Sequence, residues 1–351
     1  MELPQDKKEQ FRRAYKGRPV CITGGAGFIG GHLAEALLNI GASVTIIDDL
    51  SNSSHDLPAK LIDAHPGRAR FVYASILDRR GLSDAVLGSD LVFHLAAMGS
   101  VPRSIREPER TMEVNLFGTL RVAEACRDAG VKRWVYSASS SAYGQDPPGS
   151  DGGRAPRVET MSPRPLSPYA VSKLASEYVV RAWAVCYGLP GISLRYFNVF
   201  GPRQPADSAY AAVIPLFFSK LTSGGQPTVY GDGLQTRDFT PVANAVYANL
   251  LAGAMDREPR GEVANIACGR KMSLLELIDR MAKLTDRHDV APKFEPERTG
   301  DILHSLADIS RAAQVLGYEP IQSVEEGLQE TLEWTLKRRG MADAGPGPAV
   351  R

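Results

Sequence analysis

TGGAGFIG, residues 23–30, is the most informative stretch of this 351-residue chain. The apolar run before it, Pro19–Thr23, reads as a strand, and residues 28–39 after it have helical spacing. Glycines at 24, 27 and 30 permit a tight turn, close approach of a pyrophosphate and close helix–strand packing. The N–H groups and the dipole at the start of a helix favour an anion. The stretch therefore predicts a dinucleotide-binding strand–turn–helix unit.

An acid closes the next apolar run, Ser43–Asp48 (SVTIID). At this position a carboxylate hydrogen-bonds the adenosine ribose hydroxyls and repels a 2′-phosphate. Asp48 therefore favours NAD over NADP. The alternative is an ordinary surface acid in a turn.

Apolar runs alternate with helical patterns through the first half of the chain. Strands are predicted at 70–74, 90–96, 133–139 and 191–198, and helices at 115–129 and 169–187. Strands separated by helices predict an α/β fold, a doubly wound parallel sheet covered on both faces. Residues 146–168 are rich in Pro, Gly and Arg and are interpreted as a long surface loop near a site.

Composition argues against several classes of protein. The 41 basic and 40 acidic side chains leave no electrostatic footprint for nucleic acid. The charged first 18 residues lack the apolar stretch of a signal peptide, and no run has membrane-spanning length. The four cysteines are widely spaced, which argues against a disulfide framework or a metal site and for a reducing cytoplasm.

Two further groups of residues carry chemistry. Tyr169 and Lys173 are four apart and share one helix face, where an ammonium lowers the pKa of a neighbouring phenol. Such a phenol can act as a general acid or base. The serines between Ser137 and Ser141 follow a strand, at the sheet edge where ligands bind, and can hydrogen-bond a substrate oxygen. A capping or turn cluster is the alternative for the serines.

These motifs together make the chain resemble the extended short-chain dehydrogenase/reductase family from about Val20 to Leu336. Within that family it looks most like the UDP-hexose 4-epimerases, especially the branch that uses N-acetylated sugars. The matching stretches are TGGAGFIG, IDDLSNS (47–53), FHLAAMGSVPRS (93–104), SSSAYG (139–144), YAVSK (169–173), RYFNVFGPRQ (195–204), YAAVIP (210–215), RDFT (237–240) and HSLADIS (304–310).

The resemblance implies a role for each matching position. The residues that match the catalytic trio are Ser139, Tyr169 and Lys173. The positions that match NAD contacts are Gly24, Gly27, Phe28, Ile29, Asp48, Asp49, Asn52, Ile76, Ala96, Ala97, Asn115, Ser137 and Tyr196, with Tyr169 and Lys173. The positions that match UDP-sugar contacts are Ser100, Asn198, Val213, Tyr230, Arg237, Arg298, Asp301 and Ser305.

One position departs from the family pattern. Ser75 stands where relatives usually carry an Asp that contacts the adenine amine, so a weaker adenine contact is expected. Asp78 is interpreted as a neighbouring turn residue rather than a replacement.

The serines at 140 and 141 select among the reactions of the family. Dehydratases and decarboxylases of this fold usually place acidic residues there, so their absence favours 4-epimerisation through a transient 4-keto sugar. Such a nucleotide-sugar lyase is one alternative. Another is a UDP-glucuronate 4-epimerase, in which Arg103 or Arg203 could pair the carboxylate. A non-catalytic NAD-sensing or RNA-binding relative is disfavoured because Tyr169 and Lys173 are both present.

The resemblance also implies a substrate and an assembly. Ser305 matches a position that borders the hexose pocket, and a small residue there admits an N-acetyl group. The expected substrates are UDP-GlcNAc and UDP-GalNAc, with UDP-Glc and UDP-Gal as further candidates. Helices 115–129 and 169–187 resemble those that pair in homodimers of relatives, so a homodimer is expected.

The chain is expected to divide into four parts. They are a charged segment (1–18), an NAD-binding domain (19–190, with later segments returning to it), a smaller UDP-sugar-binding lobe (191–338) and a disordered tail (339–351).

Overall fold

A parallel sheet of seven strands forms the centre of the computed structural model, which describes residues 3–145, 155–206, 212–297 and 302–343. The strands of the chain are β1 (Pro19–Thr23), β2 (Ser43–Asp48), β3 (Ala69–Tyr73), β4 (Leu91–His94), β5 (Arg133–Ser139), β6 (Gly191–Tyr196), β7 (Val199–Phe200), β8 (Thr228–Tyr230), β9 (Thr236–Asp238), β10 (Thr240–Pro241), β11 (Arg260–Ile266), β12 (Lys271–Ser273) and β13 (Lys293–Glu295). The order in the main sheet is β11-β6-β5-β4-β1-β2-β3. The order reverses beside β1, where ligands bind in open α/β sheets.

Helices cover both faces of this sheet. They are α1 (Gln5–Tyr15), α2 (Phe28–Ile40), α3 (Asp56–Ala64), α4 (Arg79–Val86), α5 (Val101–Arg106), α6 (Pro108–Met112), α7 (Gly118–Asp128), α8 (Pro168–Tyr187), α9 (Val213–Thr222), α10 (Val242–Gly253), α11 (Leu274–Leu284), α12 (Ser310–Leu316) and α13 (Val324–Asp343). A π-helical turn, Glu113–Phe117, joins α6 to α7. The doubly wound α/β fold predicted from the sequence is confirmed.

The side chains of each strand point alternately to the two faces of the sheet, so the core has two layers. Val20 and Ile22 of β1 face the helices α1, α2, α10 and α12, while Cys21 between them faces the layer of α4, α7 and α8. Successive side chains of a strand point to opposite faces, so both faces of a central strand must be apolar. Because β1, β2, β4 and β5 are parallel, the loops that follow them lie at the same edge of the sheet.

The charged N-terminal segment contains a docked helix that the sequence did not predict. Phe11 and Tyr15 of α1 are fully buried in the core layer of α2 and α10, and the Tyr15 hydroxyl donates a 2.6 Å hydrogen bond to the carbonyl of Leu250. The two aromatic residues are four apart and therefore share one face of an otherwise polar helix.

A separate apolar cluster builds the smaller lobe. It joins α9, α11 and α13 with residues of β8 and β12. Strands β6 and β11 complete the main sheet, although both follow residue 190.

Helix α13 extends to Asp343, so residues 339–343 of the predicted disordered tail are helical. Residues 344–351 lie outside the described part of the chain. Among the described helices, none is both long and apolar enough to cross a membrane.

Candidate active site

The glycine turn lies between β1 and α2 as the sequence predicted. Gly24 adopts a φ of +71°, and a Cβ there would lie 2.6 Å from the backbone nitrogen of Ala96. A Cβ on Gly30 would lie 2.2 Å from the carbonyl oxygen of Gly24. Helix α2 begins after Gly27 without a side-chain cap from any described residue, so its first-turn N–H groups are available to an anion. The turn therefore fits the pyrophosphate of a dinucleotide.

Asp48 is held at the end of β2, beside this turn. One carboxylate oxygen accepts from the N–H of Ala26 at 3.0 Å, and the other accepts from the N–H of Leu50 at 2.9 Å and the Ser53 hydroxyl at 3.0 Å. These bonds orient the carboxylate where a ribose would follow the pyrophosphate. Asp49 accepts from the N–H of Ser51.

The adenine-side positions are also placed by the structure. The Ser75 hydroxyl accepts from the N–H of Leu77 at 3.3 Å, while Asp78 caps α4 by accepting from the N–H of Arg80. Asp78, which the sequence analysis interprets as a neighbouring turn residue, is therefore the capping residue of α4. Ile76 is buried against the start of α7, where a Cβ on Gly118 would lie 2.5 Å from it.

Lys173 is the buried cation of the site. Helix α8 begins at Pro168 behind a Ser167 cap, which places Tyr169 in the first turn and Lys173 one turn later. The Lys173 ammonium donates a 2.7 Å hydrogen bond to the carbonyl of Ser137 and lies 5.0 Å from the ring centre of Tyr136. Burial lowers the pKa of Lys173 to about 7, against the opposing charge of Glu177.

Tyr169 differs from the sequence-based expectation in its electrostatics. Burial raises the pKa of its phenol, and a hydrogen bond with Ser139 opposes that rise. The sequence analysis predicted a lowered pKa from the adjacent ammonium. The rise dominates because desolvation penalises the phenolate, while Lys173 is committed to the carbonyl of Ser137.

Strands β5 and β6 bring the remaining hydroxyls together. Ser139 ends β5, where its side chain accepts from the N–H of Ser141 at 3.2 Å. The Ser137 hydroxyl lies 3.0 Å from the Tyr196 hydroxyl, which accepts a 2.7 Å hydrogen bond from the Asn249 amide. Ser139 and Tyr196 are register partners on the neighbouring strands. Ser139 therefore caps the 3-10 turn of residues 140–143, which is the alternative considered for the serines, and it also hydrogen-bonds Tyr169.

Asn115 lies in the π-helical turn and connects the loop after β4 to α8. Its amide oxygen accepts from the N–H of Met98 at 2.8 Å, and its amide nitrogen donates to the Ser172 hydroxyl at 3.0 Å. Ser172 in turn donates to the carbonyl of Tyr169 at 2.8 Å. Irregular π turns of this kind are frequent at functional sites. Ala96 and Ala97 lie in the same loop, and Ala96 is next to Gly24.

The predicted sugar-side residues follow β6 and β9. Asn198, with a φ of +30°, donates to the carbonyl of Asp238 at 3.3 Å, which ties the end of β6 to β9. Arg237 on β9 donates to the carbonyl of Leu303 at 3.3 Å, and the N–H of Ser305 donates to the carbonyl of Thr236 at 3.1 Å. Arg237 and Ser305 are thus brought together.

Other predicted positions contribute less to the geometry. Ser100 caps α5, Asn52 is exposed beside Arg103, and Val213 and Tyr230 are half-buried. Arg298 and Asp301 lie outside the described residues. Within the described residues, no group of three or more His, Cys, Asp or Glu could hold a metal ion.

The sequence analysis did not predict the buried charged residues near the site. Glu177 and Arg195 form a two-bond ion pair at 2.8 and 2.7 Å, with both side chains 4% exposed. Asp238 accepts from the N–H groups of Cys268 and Ala307, and burial raises the pKa of this carboxyl to about 7. Only its position in the RDFT stretch, beside the predicted Arg237, could have singled out Asp238.

Comparisons with known proteins agree with this geometry. The model of the NAD dependent epimerase/dehydratase family matches residues 20–267. The UDP-glucose 4-epimerase of Mycolicibacterium smegmatis is 36% identical over 317 residues, covering 89% of this chain and 97% of the relative. The UDP-N-acetyl-alpha-D-glucosaminuronate decarboxylase of Bacillus cytotoxicus is 34% identical, with 89% and 96% covered.

A solved structure gives the same result. The UDP-N-acetylglucosamine 4-epimerase from Methanobrevibacter ruminantium M1, in complex with UDP-N-acetylmuramic acid, superposes with a TM-score of 0.84 and is 37% identical. The match covers 92% of this chain and 99% of that one. The chain therefore belongs to the NAD-dependent epimerase/dehydratase family and is an enzyme that uses NAD.

Proposed function

We propose that the protein interconverts UDP-hexoses by NAD-dependent 4-epimerisation, with UDP-GlcNAc and UDP-GalNAc as the preferred pair. UDP-Glc and UDP-Gal are further candidates. The observation that carries the proposal is the assembly of Ser139, Tyr169 and Lys173 at the sheet edge that fits the dinucleotide. The 3-10 turn that follows Ser139, residues 140–143, contains no carboxylate.

When bound, NAD supplies the acceptor and donor of hydride. The glycine turn and the start of α2 would hold its pyrophosphate, and Asp48 its ribose. The Tyr169 phenolate takes the proton of the sugar C4 hydroxyl, and the phenol later returns it. The Ser139 hydroxyl hydrogen-bonds the same oxygen as charge develops there. The Lys173 ammonium, one turn along α8 and hydrogen-bonded to the carbonyl of Ser137, would stabilise the phenolate once it forms.

Epimerisation requires only that the 4-keto sugar present its other face before reduction. Elimination would need additional acid–base groups to take the proton from the carbon next to the keto group and to protonate the departing hydroxyl. Glu159, which follows this turn in sequence, accepts a 2.7 Å hydrogen bond from the N–H of Asn265 on β11. These placements favour epimerase over lyase chemistry. The similarity to a decarboxylase keeps that lyase as the second candidate.

The two arginines considered for a glucuronate are already paired. Arg103 contacts Glu107 at 3.2 Å, and Arg203 contacts Glu35 at 2.6 Å. A sugar carboxylate would have to compete with each of these acids. Their pairing supports a neutral hexose. The small, half-buried Ser305 supports room for an N-acetyl group, a preference worth about 1–3 kcal/mol in a single pocket contact.

We also propose a cytoplasmic homodimer. An exposed apolar face runs along α8 and the π-helical turn, where Phe117 is 54% exposed, Val171 40% and Tyr178 58%. Contiguous exposed apolar surface of this kind favours a protein interface. The four cysteines are all free, which suits a reducing compartment.

The test is turnover of UDP-GlcNAc by the purified protein without added cofactor, followed by mass-resolved chromatography and proton NMR. We expect UDP-GalNAc at unchanged mass, lost in Tyr169→Phe and retained in Tyr178→Phe, which removes an exposed hydroxyl from the same helix. A product lighter by water or carbon dioxide would instead identify a lyase. Turnover of UDP-glucuronate but not of UDP-GlcNAc would sink the argument from Ser305.

A further inference from the structure

A buried chain of hydrogen bonds between hydroxyl and imidazole groups, called the line below, links the glycine turn to the π-helical turn. The Thr23 hydroxyl lies 2.7 Å from Nδ1 of His94, and Nε2 of His94 lies 2.9 Å from the Thr119 hydroxyl. Thr119 donates to the carbonyl of Asn115 at 2.5 Å. All three side chains of the line, Thr23, His94 and Thr119, are at most 1% exposed.

The direction of every proton in this line follows from its ends. The carbonyl of Asn115 can only accept, so Thr119 donates to it and its oxygen must accept from Nε2–H of His94. In a neutral ring Nδ1 is then an acceptor, and Thr23 donates to it. The Thr23 oxygen accepts from the N–H of Ala96 at 3.3 Å, which completes the line. Burial, with the nearby charge of Lys173, lowers the pKa of His94 to about 3 and keeps the ring neutral.

Each end of the line meets the site. At one end Ala96 lies against Gly24, so closely that a Cβ on Gly24 would overlap it. At the other end, the amide of Asn115 holds the N–H of Met98 and, through Ser172, the carbonyl of Tyr169. The line therefore spans from the dinucleotide turn to the first turn of the catalytic helix.

We propose that His94, in its neutral Nε2–H form, is a positioning residue that fixes the π-helical turn of Asn115 relative to the glycine turn and so sets the place of Tyr169. The role rests on the proposed function, since it serves proton transfer by Tyr169. Rigid polar lines of this kind specify geometry because each buried partner must be satisfied.

The kinetic test removes one hydroxyl without changing side-chain shape. Thr119→Val leaves Nε2 of His94 without its acceptor, and Thr119→Ser restores one. We expect Thr119→Val to lower kcat about tenfold, with KM for UDP-GlcNAc changed less than about twofold, because misplacement of reacting groups acts on the chemical step. Thr119→Ser should recover most of kcat.

Thr331→Val is the matched control. Thr331 in α13 is 2% exposed, and its hydroxyl donates a 2.6 Å hydrogen bond to the carbonyl of Gly327. This is the same bond to the carbonyl four residues earlier that Thr119 makes, but in a helix outside the line. We expect it to lower stability with kcat unchanged. If Thr119→Val also lowers only stability, the line is merely structural and the inference fails.

A second measurement does not depend on turnover. Nitrogen-15 NMR of histidine-labelled wild-type protein, with His94→Gln to assign the ring, should show Nε2 protonated and no titration between pH 5 and about 8. An Nδ1–H ring, or a ring that titrates in this range, would overturn the inference. Failure of the wild type to epimerise any UDP-hexose, with the Nε2–H signature present, would refute the proposed function instead.

Discussion

The ion pair of Glu177 and Arg195 should be the most costly charge to remove near the site. Both side chains are 4% exposed, and two hydrogen bonds join them. Burial opposes the charge on Arg195, but the bonds and charge of Glu177 outweigh it and raise the pKa of Arg195. Charges about 4 Å apart attract by about 4 kcal/mol at an effective dielectric constant near 20. Glu177→Gln keeps the shape but leaves a buried cation, so we expect a loss of about 3–5 kcal/mol in unfolding free energy.

The assay is urea unfolding at pH 7, with Asp84→Asn as the control. Asp84 pairs with Arg70 on the surface, where the side chains are 58% and 49% exposed, so its loss should cost less than about 1 kcal/mol. The double variant Glu177→Gln/Arg195→Met should recover part of the loss, because no unpaired charge is left buried. If Glu177→Gln costs no more than Asp84→Asn, the reasoning is refuted.

Three further outcomes are expected. Gly24→Ala would place a Cβ 2.6 Å from the N–H nitrogen of Ala96 at a positive φ, so NAD bound per protein after purification should fall about tenfold or more; full occupancy would contradict the turn geometry. Ser305→Tyr should lower kcat/KM for UDP-GlcNAc relative to UDP-Glc by about 10–200-fold, and an unchanged ratio would remove Ser305 from the pocket. Burial and the charge of Arg203 lower the pKa of His32 from 6.5 to about 4, so its stabilisation is present above pH 6.5 and lost as pH falls through 4. His32→Gln should therefore flatten the decline of unfolding free energy with acid, measured by urea titrations across that range; parallel declines would argue against it.

The sheet and its nucleotide-binding edge could be predicted from the sequence because local sequence patterns determine them. Strands β1 and β2 bury apolar side chains on both faces and are therefore apolar in sequence, and Gly24 and Gly30 are required because a Cβ at either would make contacts under 3 Å. Spacing likewise placed Tyr169 and Lys173 on one helix face. These features depend on neighbours in sequence.

What the sequence did not reveal depends on partners far along the chain. His94 is an apolar-strand residue in sequence, and its role appears only when Thr119 and Thr23 approach it in space. The π-helical turn interrupts residues 115–129, predicted as one regular helix, and leaves no periodicity signal of its own. Helix α1 was not predicted because its contact with the core depends on two buried aromatic residues, with Ala14 packed beside them, in a helix that is otherwise polar. The pKa of Tyr169 was predicted with the wrong sign because spacing carries no information on desolvation.

The place of β11 at the edge of the main sheet matters for how the protein is made. Its neighbour β6 ends at Tyr196, whereas β11 ends at Ile266. A ribosome adding about 5–20 residues per second therefore needs roughly 4–14 s to supply the last strand. Until then the nascent polypeptide presents an unpaired edge on β6, the kind of surface that recruits other extended chains. Slow translation across the intervening residues would lengthen that exposure, and chaperone occupancy should be greatest there.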